Sequence, residues 1–313
     1  MANYAYIVGV CTKYLPELTA LLNSLDYVGN KFDFHILGLD NDRSKTGLPE
    51  EFVSQFGKLN YKVIHHAMTN EEIEASRGIS EIACRKRYWY TGEIGKNYDA
   101  ICVLDADLVF VRNPWQYFEI AHKTGFILGP CKEQNKVYDH EHHQADGKWI
   151  IPKGYWNDKD LCNCPLFIDA KIWEAPLKKS WDIFLNHGFK APDMDAMNIC
   201  FIKAGAKDKI VKLAGLQWLG TNEQHLKPYI RVVLKKDNKI WTESGIELFT
   251  YHGQYYKDKW RKCQLDNRSW CAKHYLKTNL DDQAAGAMNV LYSYFKEMLD
   301  YKIKIEKKIY VPN

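Results

Sequence analysis

The chain has 313 residues, 46% hydrophobic and 26% charged, a composition that excludes collagen-like, coiled-coil and disordered classes and a length that allows one large α/β domain or two small ones. Lys and Arg number 43 against 39 Asp and Glu, a net charge of +4 that is too balanced for nucleic-acid binding driven by a basic field. Aromatics are in excess, with 10 Trp, 20 Tyr and 13 Phe, and exposed Trp and Tyr suit surfaces that hold amphipathic ligands such as sugars.

Residues 4–10 form a continuous apolar run and read as a buried strand. Leu15, Leu18, Leu21, Leu22 and Leu25 follow at helical spacing. Residues 32–39 and 61–65 predict two more strands, 71–90 a long helix, and 100–104 a fourth buried strand. Apolar strands alternating with helices argue for a mostly parallel sheet covered on both faces. Residues 131–160 mix His, Lys, Asp, Gly and Trp and read as a long irregular loop of the kind that is often functional. A strand over 166–169, helices over 173–187 and 193–204, and an amphipathic helix over 283–298 complete the expected elements, while the tail from Lys302 alternates like an edge strand. Without repeats or low-complexity linkers, a single continuous domain is expected.

The nine cysteines are odd in number, and several sit in apolar runs, as Cys102 does. With no legible signal peptide and no apolar stretch of bilayer length, a reducing cytoplasm is the expected compartment. His140, His142 and His143, with Cys131, Cys162 and Cys164, lack the paired Cys-x₂-Cys spacing of a zinc knuckle and read as solvated loop residues. Tyr138, Trp149, Tyr155 and Trp156 supply either a wall for an acceptor or ordinary loop packing.

Asp-x-Asp occurs at Asp40/Asp42, Asp105/Asp107, Asp158/Asp160 and Asp193/Asp195, so the pair alone decides nothing. The first and third lie in polar stretches, where turn chemistry explains them. Asp105 and Asp107 instead interrupt the apolar run 101–111. On an extended segment residues two apart point the same way, so both carboxylates would address one side. Two carboxylates at the end of a buried strand repel each other and resist desolvation, and a divalent cation removes that conflict. Ala106 between them leaves room for a ligand, and the carboxyl ends of parallel strands are where open α/β sheets bind one.

The segment Tyr98-Asp-Ala-Ile-Cys-Val-Leu-Asp-Ala-Asp-Leu-Val-Phe-Val111 resembles the Asp-x-Asp segment of GT-A-fold, nucleotide-sugar-dependent glycosyltransferases. The likeness is strongest to glycosyltransferase family 8, the family of glycogenin and of bacterial galactosyl- and glucosyltransferases. Three further stretches follow in that family's order. Asn163-Cys-Pro-Leu-Phe-Ile-Asp169 before Trp173 is similar to its Asn-(Ala/Ser)-Gly strand, and Asp193-Met-Asp-Ala-Met-Asn198 to its Asp-Gln-Asp-x-x-Asn helix start. His252-Gly-Gln-Tyr-Tyr-Lys-Asp-Lys-Trp260 is similar to its His-x-x-Gly-x-x-Lys-Pro-Trp element.

The resemblance implies an α/β GT-A fold, Rossmann-like, with a mostly parallel central sheet flanked by helices in one domain. Residues 1–275 would be catalytic, 1–130 the nucleotide-sugar half and 131–275 the acceptor half, with a C-terminal helix and basic tail over 276–313. Asp105, Asp107 and His252 would hold a divalent metal, Mn²⁺ or Mg²⁺, bridging the diphosphate of a UDP-sugar. Val10, Cys11 and Thr12 would cradle base and ribose, with Ala106 beside the donor. Arg85 or Lys86 would contact the donor, and Lys257 or Lys259 the leaving diphosphate. Asn163, Asp193 and Asp195 would line the sugar and acceptor side. Met194 stands where the family has Gln, which implies a front-face retaining displacement without a side-chain nucleophile at that position.

Charge chemistry supports these roles, because a cation and a Lys or Arg stabilise the charge that builds on a leaving diphosphate. The implied partners are a UDP-hexose donor and an acceptor that is a glycan, a lipid, a protein or a modified nucleic acid; the tail would make at most weak contact with a membrane surface. A sugar-nucleotide pyrophosphorylase would need a Gly-rich phosphate loop after the first strand, which residues 9–16 lack. A non-catalytic nucleotide-sugar-binding protein is the other reading, motivated by Met194 and by Asn163-Cys164-Pro165.

Overall fold

The computed structural model describes residues 2–39, 47–67, 87–129, 164–186, 193–213, 216–218, 233–236, 239–242, 247–252 and 293–305. In chain order these contain β1 (Tyr4–Cys11), α1 (Leu15–Tyr27), β2 (Asp33–Leu39), α2 (Glu50–Val53), β3 (Val63–Ala67), α3 (Arg87–Gly95), β4 (Ala100–Leu104) and β5 (Leu108–Phe110). Then come α4 (Trp115–Thr124), β6 (Ile127–Gly129), β7 (Leu166–Asp169), α5 (Ala170–Asn186) and α6 (Asp193–Lys203). Short strands complete the set: β8 (Ile210–Lys212), β9 (Leu216–Trp218), β10 (Val233–Lys236), β11 (Lys239–Thr242) and β12 (Thr250–His252).

Seven strands form one sheet in the order β3-β2-β1-β4-β7-β6-β8. Among the described strands of that sheet, β7 alone runs against the rest, pairing antiparallel with both β4 and β6. β1 is buried along nearly its whole length because both faces are covered. Tyr4, Tyr6, Val8 and Val10 meet Leu15, Leu18, Leu22 and Leu25 of α1 and Phe118 of α4 in one core. Ala5 and Ile7 meet Ile94 of α3, Trp173 and Leu177 of α5, and Met197 and Phe201 of α6 in the other. The sheet therefore lies between two helical layers, as the alternating pattern predicts.

Several boundaries differ from the sequence reading. β3 begins at Val63, not Tyr61, whose ring is buried while its hydroxyl donates to Leu22 O at 2.8 Å. Only the end of the helix expected over 71–90 lies within the described residues, and there it continues to Gly95. α5 starts at Ala170 because Asp169 caps it, accepting the Ile172 N–H at 3.0 Å. The element α4 was not anticipated: Asn113 Oδ1 receives the Trp115 N–H at its start, and Gly125, at φ 65, ends it in the left-handed conformation.

The loop 131–160 lies outside the described residues, as does most of the helix expected over 283–298; its described part, from 293, is helical and runs on to 299. Residues 301–305 form no strand. Side chains satisfy their backbone instead: Asn23 Nδ2 donates to Met298 O and Ile303 O at 2.6 and 2.9 Å, and Ile303 N donates to Asn23 Oδ1 at 3.0 Å. Gln55 exchanges two hydrogen bonds with the backbone of Lys304. Lys302, counted among the basic tail, turns inward to an ion pair of 2.6 Å with the buried Asp26.

Candidate functional site

The parallel strands β1, β2 and β4 end on one edge of the sheet. Val8 lies opposite Leu104, Val10 opposite Gly38, and Cys11 opposite Leu39. Val10 is buried, and Cys11 and Thr12, where the chain turns toward α1, are half-buried. The backbone thus brings Val10, Cys11 and Thr12 to the edge where Asp105, Ala106 and Asp107 follow β4.

Asp105–Asp107 do not continue an extended run. They form a turn that carries the chain out of the seven-stranded sheet and into β5, a member of a second sheet ordered β5-β12-β9. Strand alternation therefore does not govern the two carboxylates. Asp105 is half-buried and Asp107 only 6% exposed, with the small Ala106 also buried between them. Cys164, which precedes β7 across a cis Cys164–Pro165 peptide, lies against the backbone of Asp105 at the start of the turn.

The second sheet is what joins the two halves of the chain here. β12 pairs antiparallel with β5, Thr250 opposite Phe110 and His252 opposite Leu108, while β9 places Trp218 opposite His252. Thr250 Oγ1 donates to Val109 O at 2.8 Å, and the Phe110 N–H donates to Ser24 Oγ of α1 at 3.0 Å. The backbone of His252 is thereby fixed opposite the residue that follows Asp107; its side chain lies outside the described residues, as do Trp218's atoms beyond the backbone. Two carboxylates with an imidazole-bearing residue form a donor set that fits a hard divalent cation such as Mn²⁺ or Mg²⁺. Among the described residues no cluster of three or more His, Cys, Asp and Glu could hold a metal ion by itself.

Asp193 and Asp195 open α6, which packs through Met197 and Phe201 against Trp173 and Leu177 of α5; the side chains of the two aspartates are not among those described. Asn163, Arg85, Lys86, Lys257 and Lys259 lie outside the described residues, as do the 131–160 histidines and aromatics, Asp40/Asp42 and Asp158/Asp160.

A buried polar chain on β2 and β3 escaped the sequence reading. Tyr98 OH donates to Asp33 Oδ2 at 2.8 Å and lies 2.8 Å from His35 Nε2, while His35 Nδ1 lies 2.9 Å from His66 Nε2. Burial, with His66 next in weight, lowers the His35 pKa to about 4. His65 and His66 are lowered too, chiefly by burial. Three histidines at 35, 65 and 66 inside strand patterns were the available signal.

A mostly parallel seven-stranded sheet of order 3-2-1-4-7-6-8, β7 reversed and helices on both faces, is the GT-A fold. Solved structures carry the same fold. The galactosyltransferase LgtC in complex with donor and acceptor sugar analogs superposes with a TM-score of 0.54 at 14% identity, over 98% of each chain. An active-site mutant of LgtC gives 0.53 at 13% identity, again over 98% of each. The bifunctional glycosyltransferase WbbM gives 0.51 at 11% identity, over 88% of this chain and 52% of that one. No family model matches the chain, and no curated protein matches its sequence. The GT-A fold expected from the ordered motifs is thus the fold observed.

Proposed function

We propose that this protein is a divalent-cation-dependent glycosyltransferase that moves a hexose from a UDP-sugar to an acceptor with retention of anomeric configuration. The observation that carries the reading is the β5–β12 register, which holds His252 opposite Leu108, next to Asp107, at the edge where β1 and β4 end. Val10, Cys11 and Thr12 would receive base and ribose along the end of β1. Asp105, Asp107 and His252 would hold Mn²⁺ or Mg²⁺. When bound, that cation supplies charge neutralisation of the donor diphosphate. Arg85 or Lys86, and Lys257 or Lys259, would add positive charge where the leaving diphosphate gains negative charge. Asn163, Asp193 and Asp195 would line the sugar and the acceptor hydroxyl. Met194 offers a thioether and not the amide oxygen found in the family at that position, so the acceptor oxygen would attack from the face of the departing phosphate, whose oxygen takes the hydroxyl proton. Residues 1–130 would then form the donor half, 131–275 the acceptor half, and 276–313 a C-terminal helix and tail.

Incubation with UDP-glucose or UDP-galactose and Mn²⁺, followed by UDP release, tests the reading. Release should stop with EDTA and fall by about 10²-fold or more in Asp107→Ala. Metal-dependent binding without turnover in the presence of a range of acceptors would favour a binding protein, and absence of UDP-sugar binding would overturn the proposal. The anomeric configuration of the product decides retention against inversion.

A further inference from the structure

β5 lies at the edge of the second sheet, with Phe110 opposite Thr250 of β12. One residue on, the Val111 N–H donates to Phe249 O at 2.9 Å. Alternation along an antiparallel ladder therefore turns the N–H and C=O of Phe110 away from β12. An edge strand offers such groups no strand partner, and here two hydroxyls take its place. The Phe110 N–H donates to Ser24 Oγ of α1 at 3.0 Å, and Phe110 O accepts from Tyr294 OH at 2.9 Å. Ser24 gives its own proton to Leu21 O at 2.8 Å, so its oxygen is the acceptor that Phe110 needs. Both peptides that meet at Phe110 are thus held at both ends. In the first, Val109 O accepts from Thr250 Oγ1 and the Phe110 N–H goes to Ser24. In the second, Phe110 O accepts from Tyr294 and the Val111 N–H goes to Phe249. Tyr294 is itself held in place. It lies on the helical segment 293–299, whose Phe295 and Met298 are buried, and its ring meets Tyr27 of α1 edge-on at 5.9 Å.

We infer that Tyr294 is a positioning residue for cation binding: its hydroxyl anchors β5 at Phe110, and with it the end of the Asp105–Asp107 turn and the strand that faces His252. The inference rests on the proposed role of Asp105, Asp107 and His252 as cation ligands. It gives the C-terminal segment a part in the site, because Leu108, opposite His252, lies between Asp107 and this anchor. Tyr294→Phe removes the hydroxyl and keeps the ring. Mn²⁺ affinity, followed by the electron paramagnetic resonance signal of the free ion, should fall by about fivefold, the factor that one ordinary hydrogen bond carries. The Val111 amide shares its peptide with the Phe110 carbonyl and should exchange faster by NMR in the metal-free variant. Ser24→Ala removes the second hydroxyl and should weaken Mn²⁺ binding in the same direction, with faster exchange at Phe110. Tyr61→Phe is the matched control: it deletes a buried hydroxyl that donates to Leu22 O of α1, away from β5, and should bind Mn²⁺ as the wild type does.

Mn²⁺ affinity in Tyr294→Phe equal to that of the wild type would overturn the inference, as would unaltered exchange at Val111. An equal loss of affinity in Tyr61→Phe would also overturn it, since the effect would then follow from lost stability and not from β5. A wild-type protein that binds no Mn²⁺ would overturn the cation reading and this inference together. The failures are distinguishable, because in the first three the wild type binds.

Discussion

Lowering the pH from 7 to 4 is expected to cost the folded state about 3 kcal/mol through His35 alone. His35 is 5% exposed, and both ring nitrogens are engaged. Tyr98 has a single hydroxyl proton and gives it to Asp33, so its oxygen receives from His35 Nε2–H. Nδ1 of His35 is then bare and receives from His66 Nε2–H, the two rings lying within 14° of parallel with centroids 5.2 Å apart. A second proton on His35 would oblige His66 to change tautomer so that its Nε2 accepts across 2.9 Å. Burial and the neighbouring His66, with Lys62 adding slightly, outweigh the opposing charge of Asp33, and the pKa falls from 6.5 to about 4. Between those values the unfolded chain binds a proton that the folded chain does not. Stability therefore rises with pH across this window and is lost as pH falls through it. His65 and His66 shift in the same direction and add to the slope. Two measurements check the origin. The His35 Cε1–H resonance should titrate near pH 4, and urea unfolding of wild type and His35→Gln should show a stability gap that narrows by about 3 kcal/mol from pH 7 to 4. A midpoint near 6.5, or parallel stability curves, would refute the network.

Tyr6→Phe is expected to stabilise the protein by about 1 kcal/mol in urea unfolding, because the Tyr6 hydroxyl is buried with no hydrogen-bond partner among the described residues; a loss of that size would refute this. Asn23→Ala removes three hydrogen bonds to the backbone of Met298 and Ile303 and should cost about 2 kcal/mol while speeding amide exchange at Ile303; unchanged exchange would count against the clamp. Gly38→Ala should cost about 1–3 kcal/mol by denaturant midpoint, since a Cβ there meets His65 Nε2 and, at 2.6 Å, Leu48 Cγ; wild-type stability would show that the His65 ring can move aside.

The central strands were legible because each is an apolar run bounded by polar residues, and residues 100–104 and 166–169 fall where β4 and β7 lie. Direction was not legible. A strand buried on both faces carries the same apolar signal whichever way it runs, so the reversal of β7 is expressed only in its antiparallel pairing with β4 and β6. The three-residue strands β6, β8, β9 and β12 are too short to show a period of two, so nothing marked them, and β5 showed only as part of the apolar run 101–111. In the tail the alternation around Lys302 was real, but it reflects one buried Ile303 and an inward-turned Lys302, while Asn23 and Gln55 take the place of a partner strand.

At the site, apolar flanks selected Asp105 and Asp107 from four Asp-x-Asp pairs, since a carboxylate between two strands needs more explanation than one in a polar loop. The same flanks hid the turn, because β4 and β5 read as one run although they belong to different sheets. What ties His252 to these aspartates is a ladder between segments more than a hundred residues apart in sequence, which only the assembled second sheet expresses. That ladder also sets a demanding tolerance. Neighbouring residues of a strand point to opposite faces, so a slip of one residue between β12 and β5 would turn the His252 side chain to the other side of the sheet. Three-residue strands cannot enforce such a register alone. Here it is held by Thr250 Oγ1 on Val109 O between the strands, by Ser24 of α1 accepting the Phe110 N–H, and by the buried rings of Phe249 and Tyr251 on either side of Thr250. The residues that would hold the cation thus depend on core packing beneath the site.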